Sequence, residues 1–175
     1  MKTLTAVLVI SACTTAPPPP GQNMRQVSQA VEPLTKAPGT IGCVSTGETL
    51  AVQTATLKQR LMIAGFVCRA AAPYNNFVVA YRSDLQDSDR ALLNLFRRLQ
   101  GQAGERGYDS FKTRVANIAM HDSVDDPAGY CAGARATLNE AMAVPRKPLQ
   151  TFIAGQSITF EEGFAPCDLG AATFR

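Results

Sequence analysis

The side chains with the greatest capacity for chemistry in this sequence are one histidine, His121, and five cysteines at positions 13, 43, 68, 131 and 167. A serine or cysteine nucleophile needs a base within hydrogen-bonding reach, and a single histidine offers little for that role. The cysteines contain no C-x-x-C pair and lie 25 or more residues apart, which disfavours a tetrahedral zinc site. We therefore expect no catalytic residue and no metal site, and we expect His121 at the surface of its helix, near Arg114 and Asn117.

Carboxylates form the second group of candidate residues. Asp122, Asp125 and Asp126 share one turn-rich segment, and hard cations such as calcium prefer oxygen ligands. Their spacing does not match an EF-hand loop, and helix capping is the simpler explanation. Glu161 and Glu162 could serve a hydrolase, but neighbouring residues on a strand face opposite ways. With no P-loop, dinucleotide-binding glycine pattern, H-E-x-x-H or G-x-S-x-G, the sequence favours a protein that is not an enzyme and has no cofactor.

The charge balance argues against nucleic acid as a partner. Seventeen basic and 14 acidic residues give a formal charge of +3, which does not supply the dense basic stripe that phosphate backbones require. A local basic excess lies in the middle of the chain, at Arg90, Arg97, Arg98, Arg106, Lys112 and Arg114. Such charges usually form a solvated helix face, although anionic lipids or an acidic partner could use them.

The amino end has the layout of an export signal. Lys2 is followed by an apolar stretch over residues 4–10, interrupted by Thr5 and too short to span a bilayer, and then by small residues. The sequence Ile10-Ser11-Ala12-Cys13 resembles the lipobox of bacterial lipoproteins. This resemblance implies that residues 1–12 are removed, that Cys13 is acylated, and that Thr14 permits sorting to the outer membrane. The alternative is an ordinary cleaved signal, with Cys13 removed or left as a spare thiol and the protein periplasmic or secreted.

Residues 13–42 have the composition of a tether. They contain the run Pro17-Pro18-Pro19-Pro20-Gly21 and few large apolar side chains. Consecutive prolines favour extended polyproline geometry, which would hold a folded domain away from the membrane. A proline-rich recognition ligand is the alternative.

The other four cysteines form an even set suited to two disulfide bonds in an oxidising compartment. Four cysteines allow three connectivities, and sequence alone does not select one. Cys68 and Cys131 each fall on the apolar face of a predicted helix and could meet across a bundle. A bond between Cys43 and Cys167 would then attach the tail.

Apolar periodicity predicts helices through residues 43–148. Ser45-Thr46-Gly47-Glu48 is a capping box, and the apolar face that follows it consists of Leu50, Leu57, Leu61, Ala64 and Cys68. A helix beginning at Pro73 runs to about residue 100, with a break slightly favoured at residues 87–89 over one long helix, and Tyr74 and Tyr81 on its core side. Three glycines predict a loop over residues 101–107. A helix follows from Tyr108, and another enters at Asp126-Pro127 and stops before Pro145.

These elements predict an all-α fold. We expect a disulfide-stapled antiparallel bundle of four or five helices over residues 43–148, and a partly extended tail over residues 149–175 that packs on it. Thr151-Phe152-Ile153-Ala154 and Ile158-Thr159-Phe160 could be short strands or could lie extended over the bundle.

The helical region resembles small exported four-cysteine proteins of bacteria that are uncharacterised. The likeness rests on Leu61-Met62 before Cys68, on Tyr74-Asn75-Asn76-Phe77 after it and on Tyr130-Cys131, and covers roughly residues 43–142. It implies a similar helical domain and brings no activity. We therefore expect a non-catalytic structural or protein-interaction module of the periplasm, anchored to the membrane by lipid. A small-ligand or lipid-binding bundle, with a cavity beside Ala64, Gly65, Ala134 and Ala141, is the alternative; an envelope hydrolase is the third.

Overall fold

The computed structural model describes residues 42–158 and 164–167, which fall within one compact unit. Five helices of ten residues or more dominate this part of the chain, so the predicted all-α bundle is confirmed. The elements in chain order are β1 (Gly42–Val44), α1 (Thr46–Val67), α2 (Ala71–Ala80), α3 (Arg82–Gln100), α4 (Gly104–Asp125), α5 (Pro127–Ala141), α6 (Leu149–Ala154) and β2 (Phe164–Pro166). None of the helices in the described ranges is both long and apolar enough to cross a membrane.

The predicted capping box begins α1. The amide of Ser45 donates to Glu48 Oε2 at 2.8 Å, and the amide of Glu48 donates to Ser45 Oγ at 3.4 Å. Because the first amides of a helix have no acceptor within it, this reciprocal pair satisfies two donors. Glu48 also accepts a hydrogen bond from Arg98 Nε at 2.9 Å, which links the start of α1 to the end of α3.

Helix α3 runs antiparallel to α1 and to α4, as the ion pairs and hydrogen bonds between them show. The contact between Glu48 and Arg98 places the end of α3 beside the start of α1. Arg97 near the end of α3 pairs with Glu105 in the first turn of α4, and Asp89 accepts a hydrogen bond from the hydroxyl of Tyr108 at 2.7 Å.

The core consists of two clusters that share α1. The first core cluster joins one face of α1 to α2, α5 and α6, and includes the predicted Leu57, Leu61, Ala64 and Cys68. The second core cluster joins the opposite side of α1 to α3 and α4, through Val52, Ala55, Leu92, Phe96, Phe111 and Val115. Helix α1 is therefore central, with apolar residues on two sides.

The helix break predicted at residues 87–89 was wrong. Helix α3 continues through that segment, and the chain breaks between α2 and α3 at Tyr81. Tyr81 is 3% exposed, and its hydroxyl lies 2.8 Å from the carbonyl oxygen of Ala141 and 3.0 Å from that of Lys147. This long-range anchor bends the chain at a residue with no local breaking tendency. Pro73 lies at the third position of α2 instead of the first, where its missing amide proton still costs no helical hydrogen bond.

The glycine-rich loop predicted at residues 101–107 was also wrong. A single 3-10 turn, Gly101–Ala103, joins α3 to α4, and α4 begins at Gly104. A Cβ atom at Gly104 would lie 2.5 Å from the Cα of Arg97. Glycine at this position therefore permits the close approach of α3 and α4, and does not loosen the chain.

The tail begins with a helix where the sequence left open short strands or an extended course over the bundle. Residues 151–154 belong to α6, and Leu149, Phe152 and Ile153 are 2% or less exposed. Their spacing of three and four places them on one helix face against the first core cluster. The strand of the tail is β2, which pairs in parallel with β1 in the register Cys43 to Ala165. Thr159 and Phe160 lie outside the described residues.

Candidate functional site

Two disulfide bonds occupy the four paired cysteines, as the sequence favoured. Cys68 at the end of α1 is bonded to Cys131 in α5, with 5.4 Å between their Cα atoms. Cys43 in β1 is bonded to Cys167, which directly follows β2, with 4.7 Å between their Cα atoms. Cys68 is 4% exposed, whereas Cys43 and Cys167 are both exposed. The fifth cysteine, Cys13, lies outside the described residues.

A cleft of about 550 Å³ opens beside α1 and is the candidate binding site. This volume is in the range that small-molecule sites occupy. Its walls come from α1, from the junction of α4 and α5, from α5 and from the residues after α6. The lining side chains that carry the argument below are Leu57, Arg60, Asp122, Tyr130, Gly133 and Ile158.

Arg60 organises the polar wall of this cleft. Its guanidinium Nη2 lies 2.9 Å from Asp122 Oδ2 and its Cζ lies 5.8 Å from the ring centroid of Tyr130. The hydroxyl of Tyr130 donates to the carbonyl oxygen of Arg60 at 2.7 Å. Burial raises the pKa of Tyr130, and Arg60 opposes that rise. Arg60 in α1 therefore contacts both Asp122 near the end of α4 and the ring of Tyr130 in α5.

The three carboxylates of the 122–126 segment have separate structural partners. Asp122 pairs with Arg60, and Asp125 Oδ2 lies 2.9 Å from His121 Nδ1. Asp126 accepts from the amide of Gly129 at 2.9 Å and so caps α5, with Pro127 in its first turn as predicted. Among the described residues, no three histidine, cysteine or acidic side chains are grouped so that they could hold a metal ion.

His121 is at the surface, as the sequence predicted. Its side chain is 76% exposed, and its contact is the carboxylate of Asp125 one turn along α4. The geometry is that of an exposed pair on one helix. Glu161 and Glu162, the candidate hydrolase carboxylates, lie outside the described residues.

The alternative of a ligand-binding bundle required a cavity beside four small residues, and the structure opens mainly elsewhere. Ala64 and Ala141 are 0% and 2% exposed and belong to the first core cluster. A Cβ atom at Gly65 would lie 3.7 Å from the Cβ of Tyr74, so that position is filled by α2. Of the four small residues, only Ala134 lines the cleft. The other three lie where helices pack closely against each other.

Among the basic residues of the middle segment, Arg97, Arg98 and Lys112 connect helices, whereas Arg90 pairs within α3. Arg98 Nη2 donates to the carbonyl oxygen of Cys43 at 3.1 Å and to Glu48 at 2.8 Å. Lys112 Nζ lies 2.8 Å from the hydroxyl of Tyr108 and 4.6 Å from its ring centroid. Burial lowers the pKa of Lys112, but the hydroxyl of Tyr108 and the carboxylate of Asp89 outweigh it and hold that pKa above its usual value. Arg90 and Arg97 pair with Asp87 and Glu105, and Arg114 is also engaged.

Sequence reasoning missed Arg60 and Tyr130 as members of one site. The sequence pattern placed Arg60 on the polar side of α1 and Tyr130 among the core residues of α5. A weak signal existed, because an arginine preceding the buried Leu61 and a tyrosine preceding Cys131 flank the two helices that the disulfide joins. Comparison of the chain with family models, with curated proteins and with solved structures finds no match.

Proposed function

We propose that this chain is an exported, lipid-anchored domain that acts as a non-catalytic structural or protein-interaction module on the periplasmic side of the envelope. The observation that carries the proposal is the pair of disulfide bonds. Such bonds form and persist in oxidising compartments and are rare where thiols are kept reduced. They support export, in agreement with the signal-like sequence of residues 1–12.

The cysteine count supports the anchor. Pairing Cys43 with Cys167 and Cys68 with Cys131 leaves Cys13, at the end of the lipobox-like sequence, as the residue to be acylated. Each buried methylene of an acyl chain contributes about 0.8 kcal/mol, so several chains hold a domain at a membrane without a spanning helix. With Thr14 next, the outer membrane is the proposed location. Without acylation the protein would be periplasmic or secreted.

Fractionation of cells that express a Cys13→Ser variant tests the anchor. The wild type and a Thr14→Ser control should partition with membranes, and Cys13→Ser should appear in the soluble periplasmic fraction. Intact mass of native protein, with and without reductant, should report acylation at residue 13 and two disulfides. Unchanged membrane partitioning of Cys13→Ser would reject the lipid anchor, and free thiols throughout would reject export.

The cleft is the surface that we assign to the partner. Its floor includes Leu57 and Ile158, and its rim carries Asp122, Asp125 and Asp126. In the sequence between Asp122 and Asp125, Val124 is 70% exposed. An apolar floor with a polar rim is the usual anatomy of a protein interface.

A substitution at Gly133 tests whether the cleft binds. A Cβ atom at Gly133 would meet nothing within 4 Å, so the side chain of a Gly133→Leu variant can extend into the cleft and narrow it. The matched control is Gly47→Leu, because Gly47 is also helical, exposed and open. Crosslinked envelopes should give one specific partner with wild type and Gly47→Leu, and about tenfold less of it with Gly133→Leu. Equal recovery from both variants would remove the cleft from the proposal.

The cleft volume also favours a second candidate function, the binding of a small ligand or lipid. Mass spectrometry of gently purified protein would then show a retained molecule with wild type and Gly47→Leu and none with Gly133→Leu. Absence of a retained molecule, together with a captured protein partner, would favour the interaction module.

A further inference from the structure

The two disulfide bonds differ in their access to solvent. Cys43 and Cys167 are both exposed, whereas Cys68 is 4% exposed and Cys131 is half-buried. Disulfide exchange requires a thiolate to approach one of the two sulfur atoms, so its rate depends on this access. The Cys43–Cys167 bond is therefore the one that a reductant meets first.

The two sides of the exposed disulfide are held with unequal strength. On the β1 side, the carbonyl oxygen of Cys43 accepts a hydrogen bond from Arg98 at 3.1 Å, and Arg98 is fixed in turn by Glu48. The next residue, Val44, is 4% exposed and belongs to the second core cluster. These contacts do not involve the disulfide sulfur atoms, so β1 has supports besides the bond.

The β2 side has fewer supports. Strand β2 has three residues, pairs only with β1 among the described strands, and places the half-buried ring of Phe164 against two buried rings. The ring centroid of Phe164 lies 6.1 Å from that of Phe96 and 6.0 Å from that of Phe111, both nearly edge-on. A short parallel pairing and one half-buried ring give little stability alone, because such pairing is weak in water.

We propose that the Cys43–Cys167 disulfide is a redox-sensitive latch, which holds β2 on β1 and opens while the Cys68–Cys131 disulfide stays closed. This inference goes beyond the proposed function. The reductant is a protein dithiol of the thiol–disulfide oxidoreductase class. One of its thiolates attacks a latch sulfur, which breaks the bond and forms a mixed disulfide. Its second thiol then closes the reductant's own disulfide, so that two electrons pass to the chain and Cys43 and Cys167 end as protonated thiols.

Opening the latch changes the surface over the second core cluster. Phe96 and Phe111 are each 1% exposed while Phe164 lies against them. Release of β2 removes one of their neighbours and frees the edge of β1. The reduced protein therefore presents an aromatic surface that the oxidised protein covers.

Differential alkylation tests the order of reduction. Full-length mature protein is exposed to dithiothreitol under native conditions, quenched at intervals with N-ethylmaleimide and mapped by mass spectrometry. We expect Cys43 and Cys167 to be labelled at least tenfold faster than Cys68 and Cys131. Equal rates, or faster labelling of the buried pair, would overturn the latch.

Hydrogen exchange tests what the latch holds. In a Cys43→Ser, Cys167→Ser variant, amides of β2 should exchange at least tenfold faster than in wild type, while those of α1 and α5 are unchanged. The matched control is Cys68→Ser with Cys131→Ser, in which β2 should keep its protection. Unchanged β2 protection in the first variant would mean that the disulfide holds nothing by itself. Loss of protection throughout the helices would mean that it is a global staple, and either result rejects the proposal.

Discussion

Replacing Tyr81 with phenylalanine should destabilise the domain, because one hydroxyl anchors the junction between α2 and α3. That hydroxyl lies 2.8 Å from the carbonyl oxygen of Ala141 and 3.0 Å from that of Lys147, and its single proton serves both. The Tyr81→Phe change keeps the ring, which packs 5.3 Å from that of Phe77. The perturbation is thus confined to one polar group.

The magnitude follows from the exposure of the two acceptors. Lys147 is exposed, so its carbonyl oxygen can accept from water once the hydroxyl is gone. Ala141 is 2% exposed, and an unsatisfied buried acceptor costs about 1–3 kcal/mol. We expect Tyr81→Phe to lower the free energy of unfolding by about 2 kcal/mol, which corresponds to a Tm lower by roughly 6–10 °C.

Urea unfolding followed by far-ultraviolet circular dichroism measures this loss, and suits a chain without tryptophan. The control is Tyr74→Phe, because Tyr74 is half-buried and its hydroxyl makes no hydrogen bond to the described part of the chain. The Tyr74→Phe change should lower the free energy of unfolding by less than about 0.5 kcal/mol. If Tyr81→Phe cost no more than this control, the hydroxyl would not anchor the junction and the break at residue 81 would need another cause.

Three further variants test other parts of the structure. Gly104→Ala should cost about 2 kcal/mol, because its Cβ would lie 2.5 Å from the Cα of Arg97; urea unfolding measures the loss, and an unchanged midpoint would contradict the close contact. Burial raises the pKa of Glu48, but its hydrogen bonds outweigh burial and lower that pKa below 4.5. The Glu48 carboxylate therefore stabilises the folded state above about pH 4.5, and this stabilisation is lost as the pH falls through the lowered pKa. Glu48→Gln should be less stable at neutral pH and lose less on acidification, which unfolding curves across that range would report. Joint replacement of Cys68 and Cys131 by alanine should cost about 4 kcal/mol for a loop of 63 residues, and a loss under about 1 kcal/mol would contradict the chain-entropy account.

The helical architecture was predictable because its causes are local. A serine followed three residues later by glutamate starts α1, and aspartate followed by proline starts α5. The apolar spacing of Leu57, Leu61 and Ala64 places one face of α1 in the first core cluster. Cys68 and Cys131 face the same core, so the helices favoured their pairing, although the sequence left three connectivities open.

The errors lie where distant contacts override local preference. Nothing near Tyr81 breaks a helix, since its partners are Ala141 and Lys147, sixty or more residues away. Residues 151–154 contain β-branched and aromatic side chains typical of strands, yet burial of Phe152 and Ile153 on one face makes the helix favourable. Local propensity was the weaker influence in both cases.

The candidate site was predicted even less well, because spacing does not reveal which polar groups are already engaged. Asp122 and Asp126 resemble cation ligands in the sequence, but one neutralises Arg60 and the other caps α5. The guanidinium that neutralises Asp122 also lies over the ring of Tyr130, so the polar wall of the cleft depends on a charge from α1. Since α1 also carries both core clusters, the helix that stabilises the fold positions the cleft. The open space beside Gly133 belongs to this cleft, and a binding surface there would require no reactive side chain.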